Sequence, residues 1–226
     1  MNATNVQLAS GTLNGAGALT LDTSFTWGGG TQSGVGSTTV ANTAALTLNG
    51  AASMTLDTRA FTSNSTTGTW SGNGTLSIGN GGLFTNAGTL TATGNGSVTN
   101  NVSSTLGTFA NSGTLIRNTS AGVLTFTQNN PLTVTNSGTL NVQSGSVTVS
   151  DTFNNSGTIT LATGRTLDLT GFTLTLNTGS SVTGAGQLNV SGGTLTVAAA
   201  TVNATNVQLA SGTLNGAGVQ IGRAHV

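Results

Sequence analysis

The chain has 226 residues with formal net charge zero, only 4% charged residues, 35 Gly, one Pro and no Cys. Neutrality combined with abundant Thr and Val argues against a disordered tail, and abundant Gly, Thr, Ser and Asn argue against helix interiors, which leaves strands. Four scattered cations, Arg59, Arg117, Arg165 and Arg223, cannot form the basic patch that a nucleic-acid partner requires. The longest small apolar stretch, 197–200, falls far short of a membrane span.

The first element is residues 2–17, NATNVQLASGTLNGAG, which return unchanged at 203–218, an offset of 201. An identity of that length marks a tandem unit of about two hundred residues in a longer gene. Met1 then aligns with Val202, as an interior GTG codon read as a start would produce, so the chain is expected to continue upstream. No N-terminal export signal is visible, which carries weight only if Met1 is the true start.

Next along the chain, Trp27 and Trp70 occupy matching Thr-Trp contexts 43 residues apart. A shorter motif follows: Phe84-Thr-Asn86-Ala-Gly88-Thr-Leu90, then Phe109-Ala-Asn111-Ser-Gly113-Thr-Leu115, Val134-Thr-Asn136-Ser-Gly138-Thr-Leu140 and Phe153-Asn-Asn155-Ser-Gly157-Thr-Ile159. Its steps are 25, 25 and 19 residues, and looser relatives sit at 72–76, 184–188 and 191–195. Such a period suits one coil of a solenoid, the variation being absorbed by loops. Between the turns, apolar and polar residues alternate, as in Leu19-Thr-Leu21, Val147-Thr-Val149, Leu167-Asp-Leu169 and Leu174-Thr-Leu176. That is strand periodicity with one buried face.

These observations predict an all-β, single-stranded parallel β-helix of about ten coils over residues 1–220. Stacked turns would bring Asn86, Asn111, Asn136 and Asn155 into an amide ladder with Phe84, Phe109 and Phe153 stacked beneath, while Gly88, Gly113, Gly138 and Gly157 supply positive φ. The last six residues, IGRAHV, read as the translation of a sequencing adapter, so 221–226 are set aside. That removes Arg223 and His225, the only His in the chain.

The runs FANSGTL, TNSGTLNVQSGSVTV and FNNSGTITLATGRTLDLTGFTLTLNTGSSVTGAGQLNVSGGTLTV resemble the passenger regions of autotransporters and large filamentous-haemagglutinin-like exoproteins. The resemblance is one of composition and period. It implies a right-handed parallel β-helix exported to the bacterial cell surface, serving as a stalk or adhesive shaft. The implied partners are host-cell, matrix or glycan surfaces, and neither a cofactor nor a metal is expected. Uncapped ends would also favour end-to-end self-association.

Catalysis on glycans needs grouped carboxylates. Here Asp22, Asp57, Asp151 and Asp168 are spread along the chain and there is no Glu, so outward solvated carboxylates are expected, any catalytic part lying elsewhere in the parent protein. The glycines at 28–30 and 36 lack the following helix of a phosphate cradle, no GGxGxD calcium repeat occurs, and the N-x-[ST] sequons follow from composition. Thr-x-Thr triplets beginning at Thr89, Thr125, Thr133, Thr158, Thr173 and Thr194 raise ice binding as an alternative. Against it, unequal steps are expected to spoil the flat face that such binding requires.

Overall fold

The computed structural model describes residues 1–118, 121–127, 129–130, 132–198, 201–216 and 224–225, with the backbone alone at 201–205 and 224–225. Among the described residues 28 strands form one parallel sheet wound into a β-solenoid of about nine turns, slightly fewer than the sequence period predicts. Among the described residues no helix is long and apolar enough to cross a membrane.

Each turn contributes strands to three faces. Face A carries Thr89–Ala92, Thr114–Arg117, Thr139–Val142 and Thr158–Leu161 in register. Face B carries Val123–Thr127, Ser146–Ser150 and Thr166–Leu169. Face C carries Leu83–Asn86, Gly107–Asn111, Leu132–Asn136 and Thr152–Asn155. The sequence makes most strands this short because a turn residue or a glycine interrupts most alternating runs after four or five residues, and alternation sets every second side chain inward.

The inward side chains form columns one residue wide. Trp27, Leu48, Trp70 and Ala92 stack on face A, so the two tryptophans stand two coils apart, as their spacing in the sequence requires. Thr38, Phe61, Phe84, Phe109, Val134, Phe153, Leu174 and Leu195 stack on face C. No slice is self-sufficient, so apolar burial worth about 25 cal/mol per Å² accrues coil by coil across neighbour interfaces.

The unequal steps are taken up at the corners. Between Ser97–Thr99 and Gly107–Asn111 the chain bulges through 100–106, closed by Asn100, whose Nδ2 donates to the Thr105 carbonyl at 2.8 Å and whose Oδ1 accepts from the Val102 amide at 3.1 Å. At the same corner two coils on, Asp151 alone separates Ser146–Ser150 from Thr152–Asn155. Faces therefore keep register while corners differ in length.

The segment 221–226, set aside from the sequence, lies outside the described residues except Ala224–His225, whose backbone pairs with Val207 and Gln208.

Candidate functional site

The four motif asparagines end consecutive face C strands and lie at the corner where the chain turns onto face A. Their inward side chains are buried. Asn86 Nδ2 donates to Asn111 Oδ1 at 2.7 Å, Asn111 Nδ2 to Asn136 Oδ1 at 2.6 Å, and Asn136 Nδ2 to Asn155 Oδ1 at 2.6 Å. Each of the first three amides also donates to a carbonyl one coil ahead, Thr114, Thr139 and Thr158 respectively. The column opens above Ser63, where Asn86 Oδ1 is buried without a partner, and closes under Leu176.

Because the column is a chain of donors and acceptors, position along it decides what a substitution costs. Asn111→Leu strips Asn136 Oδ1 of its donor inside the core and should destabilise by about 2–3 kcal/mol. Asn155→Leu extends the apolar Leu176 and Val197 column, orphans no acceptor of the ladder, and should cost under about 1 kcal/mol. Denaturant unfolding of the two variants checks the order.

The motif glycines serve a purpose other than the positive φ expected of them. Gly88, Gly113, Gly138 and Gly157 are absent from the residues with φ in the left-handed region, a correction to the sequence reading. Their corners instead approach so closely that a Cβ on Gly113, Gly138 or Gly157 would lie well inside 3.0 Å of the carbonyl oxygen of the preceding motif glycine, and on Gly88 of the Ser65 carbonyl oxygen. The same corners hydrogen-bond between coils, the Thr114, Thr139 and Thr158 amides donating to the Gly88, Gly113 and Gly138 carbonyls.

Beneath the ladder, Phe61 and Phe84 rings stack with centroids 4.9 Å apart, and Phe84 and Phe109 at 5.2 Å. Val134 stands between Phe109 and Phe153, so Phe153 shares the column without touching another ring of it.

Two arginines that the sequence leaves as scattered cations are buried. Arg59 donates to the carbonyls of Gly15, Ser33, Gly17 and Ser37 and from Nε to Thr38 Oγ1 at 2.9 Å, clamping three successive coils. Arg117 points inward from face A between Ala92 and Val142, and donates to the carbonyls of Ala92 and Gly94 and to Asn95 Oδ1. Desolvation lowers the pKa of both guanidinium groups.

The carboxylates are not brought together. Asp57 and Asp168 both lie on face B but five coils apart, roughly 24 Å along the axis. Asp57 accepts from Asn80 Nδ2, and Asp168 from Asn189 Nδ2 and Ser191 Oγ, while Asp22 is exposed at a different corner. Among the described residues no group of three His, Cys, Asp or Glu could hold a metal.

Asp151 differs from these. As the single residue of a tight corner it is 1% exposed, its Oδ1 accepts from the Thr152 amide at 2.7 Å, and its Oδ2 has no partner. Burial pushes its pKa up to about 6 from 3.8, against the opposing pull of that amide. The folded state therefore holds a proton that the unfolded state releases. Stability is highest below the unfolded pKa and falls as pH rises from about 4 to 6, by a total of about 3 kcal/mol. Unfolding midpoints measured across that range should drop for the parent chain and stay flatter for Asp151→Asn.

Comparison with protein families, curated proteins and solved structures finds no match to this chain.

Proposed function

We propose that this chain is a non-catalytic shaft segment of a secreted or surface-anchored bacterial repeat protein, holding its surroundings by many weak contacts along a rod. One observation carries the reading: outward positions fall into in-register columns of small polar groups. On face A, Thr89, Thr114, Thr139, Thr158 and Ser181 align on successive coils. Such a lattice offers repeated hydroxyls to an extended polymer, a glycan or a matrix fibre, and gains strength from number. It needs no cofactor. An extracellular site and export to the cell surface belong to the same proposal.

Two measurements test it. Retention on immobilised glycans and matrix proteins should rise steeply with ligand density, and failure to bind any of them at the highest density would remove the adhesive half. Single-molecule pulling should release the rod in steps of one coil, 19–25 residues or roughly 60–90 Å. One cooperative rupture without steps would contradict the shaft.

Ice binding is a second reading that a specific observation favours. The expectation that unequal steps spoil a flat face does not hold for a structure that places its irregularity at the corners. On face C, Thr108, Thr133 and Thr152 align, as do Thr173, Thr194 and Thr213, with Thr175 and Thr196 two residues along. Thermal hysteresis with faceted crystals would establish it, and round crystals with no hysteresis would reject it.

A further inference from the structure

The identical segments 2–17 and 203–218 show one rung from its two sides. The first copy displays its upper contacts: Asn2 and Ala3 pair with Thr20 and Leu21, the register shifts, and Asn5, Val6, Gln7 and Leu8 pair with Ser24, Phe25, Thr26 and Trp27. The second displays its lower contacts: Asn203 and Ala204 pair with Thr183 and Gly184, the register shifts again, and 206–209 pair with 187–190. Both copies keep the same internal form, with a break after Ala3 or Ala204 between two short paired stretches.

They do not occupy the same faces. Residues 5–8 begin face A, and nine turns on, face A is occupied by 201–204. The equivalent of 5–8, residues 206–209, continues face B above 166–169 and 187–190. Likewise Thr12–Leu13 lies on face B, whereas Thr213–Asn215 lies on face C. The 201-residue unit thus spans nine turns plus one face.

We propose that the upper edge of the 203–215 rung is a docking surface for a second copy of this unit, which continues the solenoid turned by one face relative to the first. One observation favours that occupant. The edge has the sequence that already carries Ala18–Trp27 at the other end of the chain, so a copy of that strand finds every partner it has there. The consequence is geometric. Each copy advances roughly 45 Å, the asparagine corner moves to the next corner at every copy, and three copies return it to its starting orientation. A long rod built this way shows each face to every side, whatever the faces bind.

The chain has no cysteine, so paired cysteines report register directly. Neighbouring outward residues on parallel coils lie about 4.8 Å apart, within disulfide range. Under oxidation, Gln7→Cys with Thr26→Cys and Asn189→Cys with Gln208→Cys should each lose both thiols, and Thr183→Cys with Gln208→Cys should keep them. A whole number of turns per unit would put Gln208 on face A and close the Thr183 pair instead, which overturns the proposal. Closure of both terminal pairs or of neither also overturns it, because the rung would then not be held on face B. In a chain where residues 18–218 are appended after Gly218, cysteines at Gln208 and at the second copy of Thr26 should join, and free thiols there would show that the edge does not accept a second unit.

Discussion

Gly113→Ala is expected to destabilise the solenoid by more than about 3 kcal/mol, while Gly171→Ala stays within about 0.5 kcal/mol of the parent. The added methyl at Gly113 would lie well inside 3.0 Å of the Gly88 carbonyl oxygen and within 3.0 Å of the Ala87 carbonyl group. Backbone is the obstacle, so no side chain can swing aside. Separating the two corners would stretch the Thr114 amide bond to Gly88 at 2.7 Å and the Asn86 to Asn111 amide bond at 2.7 Å together. Gly171 has nothing within 4 Å of the same added atom and no positive φ, so it controls for composition and helical or strand propensity. Because solenoid stability is a sum over neighbours, the damage should localise to one interface, and hydrogen exchange should show faster opening of the coils around 88 and 113 than of those around 157. Equal unfolding midpoints for the two variants would show that the corners are not in contact.

Much of this fold is legible because one kind of interaction repeats. The recurrence of Asn-Ser-Gly-Thr-Leu and its close variants marks the same corner on four successive coils, and alternation marks which residues face inward. The motif glycines show where local reasoning stops. Their residue type is read correctly as a backbone requirement, yet a single strand gives no sign that the requirement comes from the coil below rather than from φ. Asp151 is a similar case. Its burial follows from a corner one residue long, and the shortened step of 19 residues does not say that two corners share the loss, the one before Ser146–Ser150 and the one after it. Arg117 could have been found: in the aligned runs Thr-Leu-Thr-Ala92, Thr-Leu-Ile-Arg117, Thr-Leu-Asn-Val142 and Thr-Ile-Thr-Leu161 it holds the fourth, inward position. A charge there reads as an interruption of the pattern, although its neighbours Ala92 and Val142 are small enough to admit it. The columns of outward threonine were obscured by step length, which varies at corners and leaves the faces unaffected.

Arg117→Ala should cost about 3–5 kcal/mol, and Arg117→Met distinctly less. The side chain is fully buried and runs from the inward column of face A toward the carbonyls of Ala92 and Gly94 and the Asn95 amide oxygen, all on the coil below. Removing it leaves those acceptors without the guanidinium and opens a void beside Ala92 and Val142, neither of which can fill it. Methionine restores the volume along the stem without restoring the guanidinium's hydrogen bonds, the Ala92 carbonyl keeping only the Asn118 amide, so the gap between the two variants separates packing from hydrogen bonding. The guanidinium itself is held at a cost, since burial lowers its pKa and its Nε finds no acceptor. If that desolvation outweighed the bonds to the coil below, Arg117→Met would be at least as stable as the parent, as happens when buried ionic groups are exchanged for apolar ones of similar size. The expected result is the opposite, because the guanidinium bridges the Ala92 and Gly94 carbonyls and the Asn95 amide oxygen of the coil below, all held in place by the solenoid. Urea unfolding of the parent and both variants at one pH decides between them, with the ordering parent, Met, Ala as the outcome that assigns Arg117 to clamping adjacent coils.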